Sequence, residues 1–319
     1  MNHPEDDSPQ DPPPAGRSNP AVKAVGWVIA AAAIGFCVWA LWSSWPEVET
    51  AVRQADLWLL AAAVAVGGAG LVFQAFGWRQ VLALLGDRHP PSLVLQWFFA
   101  GEVGKYVPGG VWAIVGRSEL ARRGGVDRRT AYIGTLLSLG LTVVGAMWFC
   151  AIAGVFASIG LAGVARFAPL LLLPAGALCL HPAVVGLVLR VTQKVTKRDQ
   201  SWIVPTWSQM LAAAAITVPG WALTGVAAVL VAMSLGPPHD PGRIAFAAVA
   251  AWAIGIVAVP VPAGAGLREV VFAAISGIAY APAVLIAAVS RLGYVLFDLV
   301  AAAISMLLLR RSARRAPGP

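Results

Sequence analysis

Residues 92–116 read SLVLQWFFAGEVGKYVPGGVWAIVG, and the kind of protein this chain forms can be argued from that stretch. Its two ends are apolar enough for a bilayer. Its centre carries Glu102, Lys105 and the run Pro108-Gly109-Gly110. Helix breakers clustered with ionised side chains are costly in a simple spanning helix, and are tolerated where backbone lines a cavity inside the protein. A second stretch, VPVPAGAGLRE at 259–269, repeats the recipe with Pro260, Pro262, Gly264, Gly266, Arg268 and Glu269. The two together predict membrane helices broken twice at depth.

The rest of the chain agrees. Of its 319 residues 59% are hydrophobic and 12% charged, with a mean hydropathy of +0.76. Soluble domains are about 25% charged. Apolar blocks run over Ala24–Trp42, Leu57–Gly77, Ser92–Gly116, Ala131–Ile159, Phe167–Leu189, Trp207–Leu235, Arg243–Val259, Leu267–Ala281 and Pro282–Leu309. Most are long enough to cross a hydrocarbon core about 30 Å thick. A soluble enzyme, a nucleic-acid reader and a disulfide scaffold are excluded together. The net charge of +8 needs no polyanion partner, because basic residues gather at the cytoplasmic ends of membrane helices.

The remaining composition adds little chemistry. Residues 1–22 open with six prolines and four acids among the first twenty, and read as a disordered cytoplasmic tail. Cys37, Cys150 and Cys179 lie inside apolar blocks with no paired spacing, and the four histidines are scattered singly, so no disulfide, metal or other cofactor is expected. Trp42, Trp45, Trp58, Trp78, Trp202 and Trp207 fall near block ends, as interfacial anchors do.

Lys and Arg orient the helices. Arg79 and Arg88, then Arg117, Arg122, Arg123, Arg128 and Arg129, then Arg190, Lys194, Lys197 and Arg198, then Arg310, Arg311, Arg314 and Arg315 mark cytoplasmic connections. The connections at 43–56, 160–166 and 236–243 hold one each and read as external. Block 92–116 then enters from the cytoplasm and returns there, while 243–281 dips in from outside. The expectation is an all-α integral membrane domain over 23–310, with about six full spans and two re-entrant hairpins, or eight or more spans if each hairpin half crosses fully. A short basic tail, 311–319, follows. The order of spans and hairpins reads as an inverted repeat, echoed by Val107-Pro108-Gly109-Gly110 before Arg117 and Glu119, against Val261-Pro262 before Arg268-Glu269.

Charge at membrane depth is the strongest pointer to function, because an ionised group near the bilayer centre costs at least about 2.5 kcal/mol. Glu102 and Lys105, three apart, can pair on one helical face. Arg291 and Asp298, seven apart, share a face but stand about 10 Å apart along the axis. Each must find a partner elsewhere, with Arg268-Glu269 the nearest in sequence. Cations beside half-helix N-termini suit a phosphate group, which at this depth belongs to a lipid headgroup. There is no Walker-type G-x-x-x-x-G-K, no H-E-x-x-H and no G-x-S-x-G, so enzymatic activity is not expected.

The runs GEVGKYVPGGVWAIVGRSEL (101–120) and VPVPAGAGLREVVFAA (259–274) resemble the lysylphosphatidylglycerol-synthase transmembrane family of flippase-like proteins, the membrane half of multiple-peptide-resistance factors. The resemblance spans roughly 24–310. It implies a lipid-translocating domain of the bacterial plasma membrane without a cofactor. Lys105, Pro108, Gly109, Gly110 and Arg117, with Pro262, Gly264, Gly266, Arg268 and Glu269, would line the lipid path, joined by Arg291 and Asp298. The resistance factors append an aminoacyl-transferase domain. The chain ends at Pro319 without one, so aminoacylation by this polypeptide is not expected. Two functions remain: movement of a phospholipid or polyprenyl-phosphate-linked lipid between leaflets, or a membrane subunit that docks an envelope-lipid or glycan enzyme. Membrane lipid with an anionic headgroup is the expected partner, and nucleic acid is not.

Overall fold

The computed structural model of the protein describes Trp39, Trp42 and residues 45–106, 111–157, 160, 162–196, 204–236, 240–257 and 266–315. Among the described residues the regular structure is helical: α1 (Trp45–Arg53), α2 (Leu57–Leu84), α3 (Pro91–Glu102), α4 (Trp112–Arg123), α5 (Arg128–Phe156), α6 (Leu172–Cys179), α7 (Pro182–Thr196), α8 (Trp207–Ala215), α9 (Val218–Leu235), α10 (Pro241–Val257), α11 (Leu267–Ser276) and α12 (Tyr280–Arg315). Short 3-10 turns cover Val103–Tyr106 and Gly163–Leu171.

Local chemistry sets the boundaries. Asp56 starts α2 by accepting from the amides of Trp58 (2.8 Å) and Leu59 (3.2 Å), and Asp127 does the same for α5 with Arg129 (2.9 Å) and Thr130 (3.2 Å). Thr206 and Gln209 cap α8 reciprocally. The Trp207–Leu235 block divides into α8 and α9 just before Pro219, which has no amide to donate. The Phe167–Leu189 block becomes a 3-10 turn and two helices bent by 51°.

Among the described residues, four segments are long and apolar enough to cross a membrane: Leu57–Leu84, Arg128–Phe156, Trp207–Leu235 and Tyr280–Ser312. The bent pair Gly163–Cys179 and Pro182–Arg190 makes a fifth if it counts as one span. The first expected span, 24–42, lies outside the described residues except for Trp39 and Trp42. The final helix begins at Tyr280, ahead of Pro282, and runs on to Arg315 through residues that read as tail.

Between these long helices lie two pairs of shorter ones. α3 and α4 have 12 residues each, or about 18 Å at 1.5 Å per residue. They double back: Gly101 meets the Arg117 backbone, and Gly104 meets the backbone of Trp112 and Ala113. α10 and α11, with 17 and 10 residues, also run antiparallel. Near the start of α10, the Arg243 Nε donates to the Ile275 carbonyl at 2.6 Å, closing the C-terminal end of α11 where Gly277 turns with φ +74°. Near the other end, Gly255 makes room for the Arg268 side chain. Both pairs pack on α12.

Small residues hold the long helices close. Gly70 and Gly220 put α2 and α9 in backbone contact, and Gly68 leaves the space that the Phe297 ring of α12 fills. Trp42, Trp45 and Trp58 are exposed, as anchors should be, whereas Trp78 is fully buried against Phe98. Reading Trp78 as an anchor is thus corrected: α2 continues past Gly77 to Leu84, so its ring faces the core under α3. Trp202 lies outside the described residues.

The Gly70–Gly220 seam carries a prediction. A methyl at 70 would stand 2.7 Å from the Gly220 carbonyl oxygen, so Gly70→Ala should cost about 1–3 kcal/mol. Gly140→Ala, with open space around it, should be neutral or mildly stabilising. Thermal unfolding in detergent separates the two, and equal melting temperatures would argue against a tight seam.

Candidate functional site

The buried charges gather where both short helix pairs meet α12. Glu102 ends α3 and is buried. Its Oε2 accepts from Arg117 Nη2 at 2.7 Å, and its Oε1 accepts from Lys105 Nζ at 3.1 Å. Arg117 also lies over the Phe98 ring at 4.2 Å, which orients the guanidinium and covers one face. Lys105 reaches a second carboxylate, Asp298 Oδ2 of α12, at 2.7 Å. The Tyr106 hydroxyl donates to the same oxygen at 2.6 Å. Asp298 is 0% exposed, and its Oδ1 has no hydrogen-bond partner.

The second network begins at α11. Gly266 precedes this helix with φ +79°, a left-handed conformation that glycine adopts without strain. Glu269 in the first turn accepts from Arg291 Nη1 of α12 at 3.0 Å. Arg268 turns the other way, across Gly255, to lie 5.4 Å from the centre of the Trp252 ring. Its Nε is buried without a hydrogen-bond partner, and among the described residues it has no ion pair. Tyr106 joins the two networks: its hydroxyl sits on Asp298 within electrostatic reach of Arg268 and Arg291.

Local sequence explains the convergence. The 3-10 turn after α3 swings Lys105 and Tyr106 off the helical path toward α12. The seven-residue spacing of Arg291 and Asp298 keeps both on one face of α12 while separating them enough for each to take a different hairpin. The cluster of Lys105, Arg117, Arg268 and Arg291 with Glu102, Glu269 and Asp298 therefore holds four cations against three carboxylates. Arg268 is the surplus.

Eight residues picked out from the sequence come together here or border the site: Glu102, Lys105, Arg117, Gly266, Arg268, Glu269, Arg291 and Asp298. Pro108, Gly109, Gly110, Pro262 and Gly264 lie outside the described residues. Glu119 does not join the cluster. It lies toward the C-terminal end of α4, where hydrogen bonds from Arg122 (2.9 and 2.8 Å), helped by Arg123 (3.2 Å), pull its carboxyl down to about 2. Sequence reasoning missed Tyr106 and Trp252. Tyr106 had a signal in its position beside Lys105, and Trp252 in standing mid-block among tryptophans that favour block ends.

Both broken stretches and all of these charged residues fall inside residues 25–303, which match a family model described as the lysylphosphatidylglycerol synthase TM region. The chain belongs to that family. No curated protein matches it. Membership in the lysylphosphatidylglycerol synthase TM-region family, with the long apolar helices, makes this a multi-pass membrane protein with a lipid-related function. The family is defined on a membrane region and not on a catalytic domain.

The cluster predicts its own energetics. Removing Lys105 leaves Asp298 buried with no cation on it, and breaking a buried pair in this way costs about 3–5 kcal/mol. Lys105→Ala should therefore be strongly destabilised in denaturant titrations, and Lys105→Ala/Asp298→Asn should regain most of the loss. A double variant no more stable than the single one would show that the bridge is not what Asp298 depends on.

Proposed function

We propose that the protein binds the phosphate of anionic lipid headgroups at this cluster and moves such lipids, phospholipid or polyprenyl-phosphate-linked, between leaflets of the bacterial cytoplasmic membrane. The observation that carries the reading is Arg268, a cation with a buried, unpartnered Nε in a cluster that already has three carboxylates for three other cations. An intramembrane cation without a counter-ion is expensive, and an anionic ligand supplies the missing charge. Arg268 is partly exposed, as are Lys105 and Arg291 (29% and 32%), so an incoming headgroup can reach all three, while Glu102 and Asp298 stay inside.

In this reading α3–α4 and α10–α11 are re-entrant hairpins of opposite orientation within six full spans. With their flanking spans they form an inverted repeat, α2, hairpin and α5 mirroring α8–α9, hairpin and α12, with both termini cytoplasmic. Their shortness and antiparallel packing support it. The headgroup phosphate sits between the hairpins on Arg268, with the start of α11 at Gly266 beside it, while the acyl chains remain in the bilayer. Transport needs no catalytic step.

A second reading, a membrane subunit that docks an enzyme of envelope-lipid or glycan assembly, draws on the other half of the same observation. Lys105, Arg117 and Arg291 are each paired with a carboxylate, as a purely structural network would be.

Proteoliposomes separate the two. A membrane-impermeant reductant bleaches fluorescent phosphatidylglycerol in the outer leaflet, and the protected inner pool should decay faster with protein than in empty vesicles. A phosphatidylcholine analogue should show little acceleration. Arg268→Ala should abolish the effect at normal protein yield, and Arg268→Lys should retain part of it. No acceleration for phosphatidylglycerol or a polyprenyl-phosphate analogue would leave the docking subunit as the better account.

A further inference from the structure

Asp298 is the one carboxylate of the cluster whose charge depends on a cation that it shares. Glu102 is held by both Arg117 and Lys105. Glu269 has Arg291 to itself and Arg268 beside it in sequence. Asp298 has Lys105 alone, which also serves Glu102 at 3.1 Å. It is also the most deeply buried of the three, with Oδ1 sealed and unpartnered. If Lys105 turns to another anion, Glu102 remains neutralised by Arg117, but Asp298 is left as a bare carboxylate in a dry interior. A buried ion in that position takes a proton rather than stay charged.

Among the described residues, the surroundings offer Asp298 no other cation. The 3-10 turn presents Lys105 and Tyr106, and α3 presents Glu102, an acid. Charged residues are absent from α9 and, apart from Arg79 near its far end, from α2; around Tyr294, the next turn of α12, they contribute Gly67 and Thr224. On α11, Arg268 and Glu269 belong to the Arg291 end of the face. The Glu49 and Arg53 side chains of α1 pair with each other at 2.7 Å.

We propose that Asp298 is a proton-binding site coupled to anion capture. When Lys105 leaves Asp298 for a headgroup phosphate, the carboxylate takes one proton from water, and it gives that proton back when Lys105 returns. The balance closes. Lys105 keeps its three protons and changes partner, one negative charge enters with the phosphodiester, one positive charge enters as the proton, and the net charge of the cluster is unchanged. Each cycle of lipid binding and release is thus a cycle of proton binding and release, which would let a proton gradient drive lipid movement without a nucleotide. The inference rests on the anionic-lipid reading above.

The test is calorimetric titration of dioctanoylphosphatidylglycerol into the intact protein in neutral detergent near pH 7, in two buffers of different ionisation enthalpy. A phosphodiester does not titrate in this range, so any buffer-dependent heat reports protons moving onto the protein. Wild type should take up close to one proton per lipid bound, and Asp298→Asn none. Infrared difference spectra of wild type should gain a protonated-carboxyl C=O band on lipid addition. Tyr106→Phe should shift that band, because Tyr106 donates to Asp298 and to no other carboxylate of the cluster. Binding with the same heat in both buffers and no new band would overturn the proton site and leave lipid binding standing. Proton uptake that persists in Asp298→Asn would overturn the assignment to Asp298. No binding of this lipid, with no acceleration in vesicles, would sink the lipid reading and the proton site together.

Discussion

An ionised side chain at membrane depth must find its counter-charge inside the protein, and this fold is arranged around that requirement. Ahead of the arginines at its C-terminal end, α12 carries one cation, Arg291, and one anion, Asp298, and neither can reach the other comfortably. Each is answered from a different helix pair: Glu269 from α10–α11, Lys105 and Tyr106 from the α3–α4 side. These contacts give two otherwise undersized helical hairpins a fixed place against a long helix. The glycines of α2 and α9 then set how closely the long helices stand behind them.

Apolar contact alone would not specify this arrangement. Between helices in lipid the hydrophobic driving force is weak, because lipid tails are as apolar as leucine. Packing of small residues and polar pairing must supply the specificity. The Gly70–Gly220 contact and the Phe297 ring over Gly68 supply the first, and the charged cluster supplies the second. Arg243 adds a device of its own, since its guanidinium occupies the space that a side chain at Gly277 would need and hydrogen-bonds the end of α11.

Much of this could be read from residue spacing. The i, i+3 placement of Glu102 and Lys105 gave their pairing, and the seven-residue gap between Arg291 and Asp298 required partners on other elements. Arg291 found Glu269 as sequence proximity suggested. Asp298 went instead to Lys105 and Tyr106, and nothing local could reveal that, because the contact joins residues 192 apart. The burial of Trp78 was illegible for a similar reason. Its position near a block end suggests an interface, while its environment is set by where α3 lies across α2. Helix subdivision was visible in Pro219 and again in Pro182, which opens α7 just past the 51° bend.

The Lys105–Asp298 bridge also has a consequence for how the protein is made. With 192 residues between Tyr106 and Asp298, and elongation at about 5–20 residues per second, the first hairpin is synthesised on the order of 10–40 seconds before the carboxylate that Lys105 and Tyr106 contact. In that interval Lys105 has only Glu102, which it shares with Arg117, and Arg268-Glu269 of the second hairpin still awaits Arg291. The first hairpin therefore spends that interval with its charges incompletely matched, and the second, only 22 residues ahead of Arg291, a much shorter one. The arrival of α12 completes both ion pairs and lets the hairpins settle to their final depth. A nascent chain stopped short of Arg291 leaves Glu269 without its cation and Lys105 without Asp298.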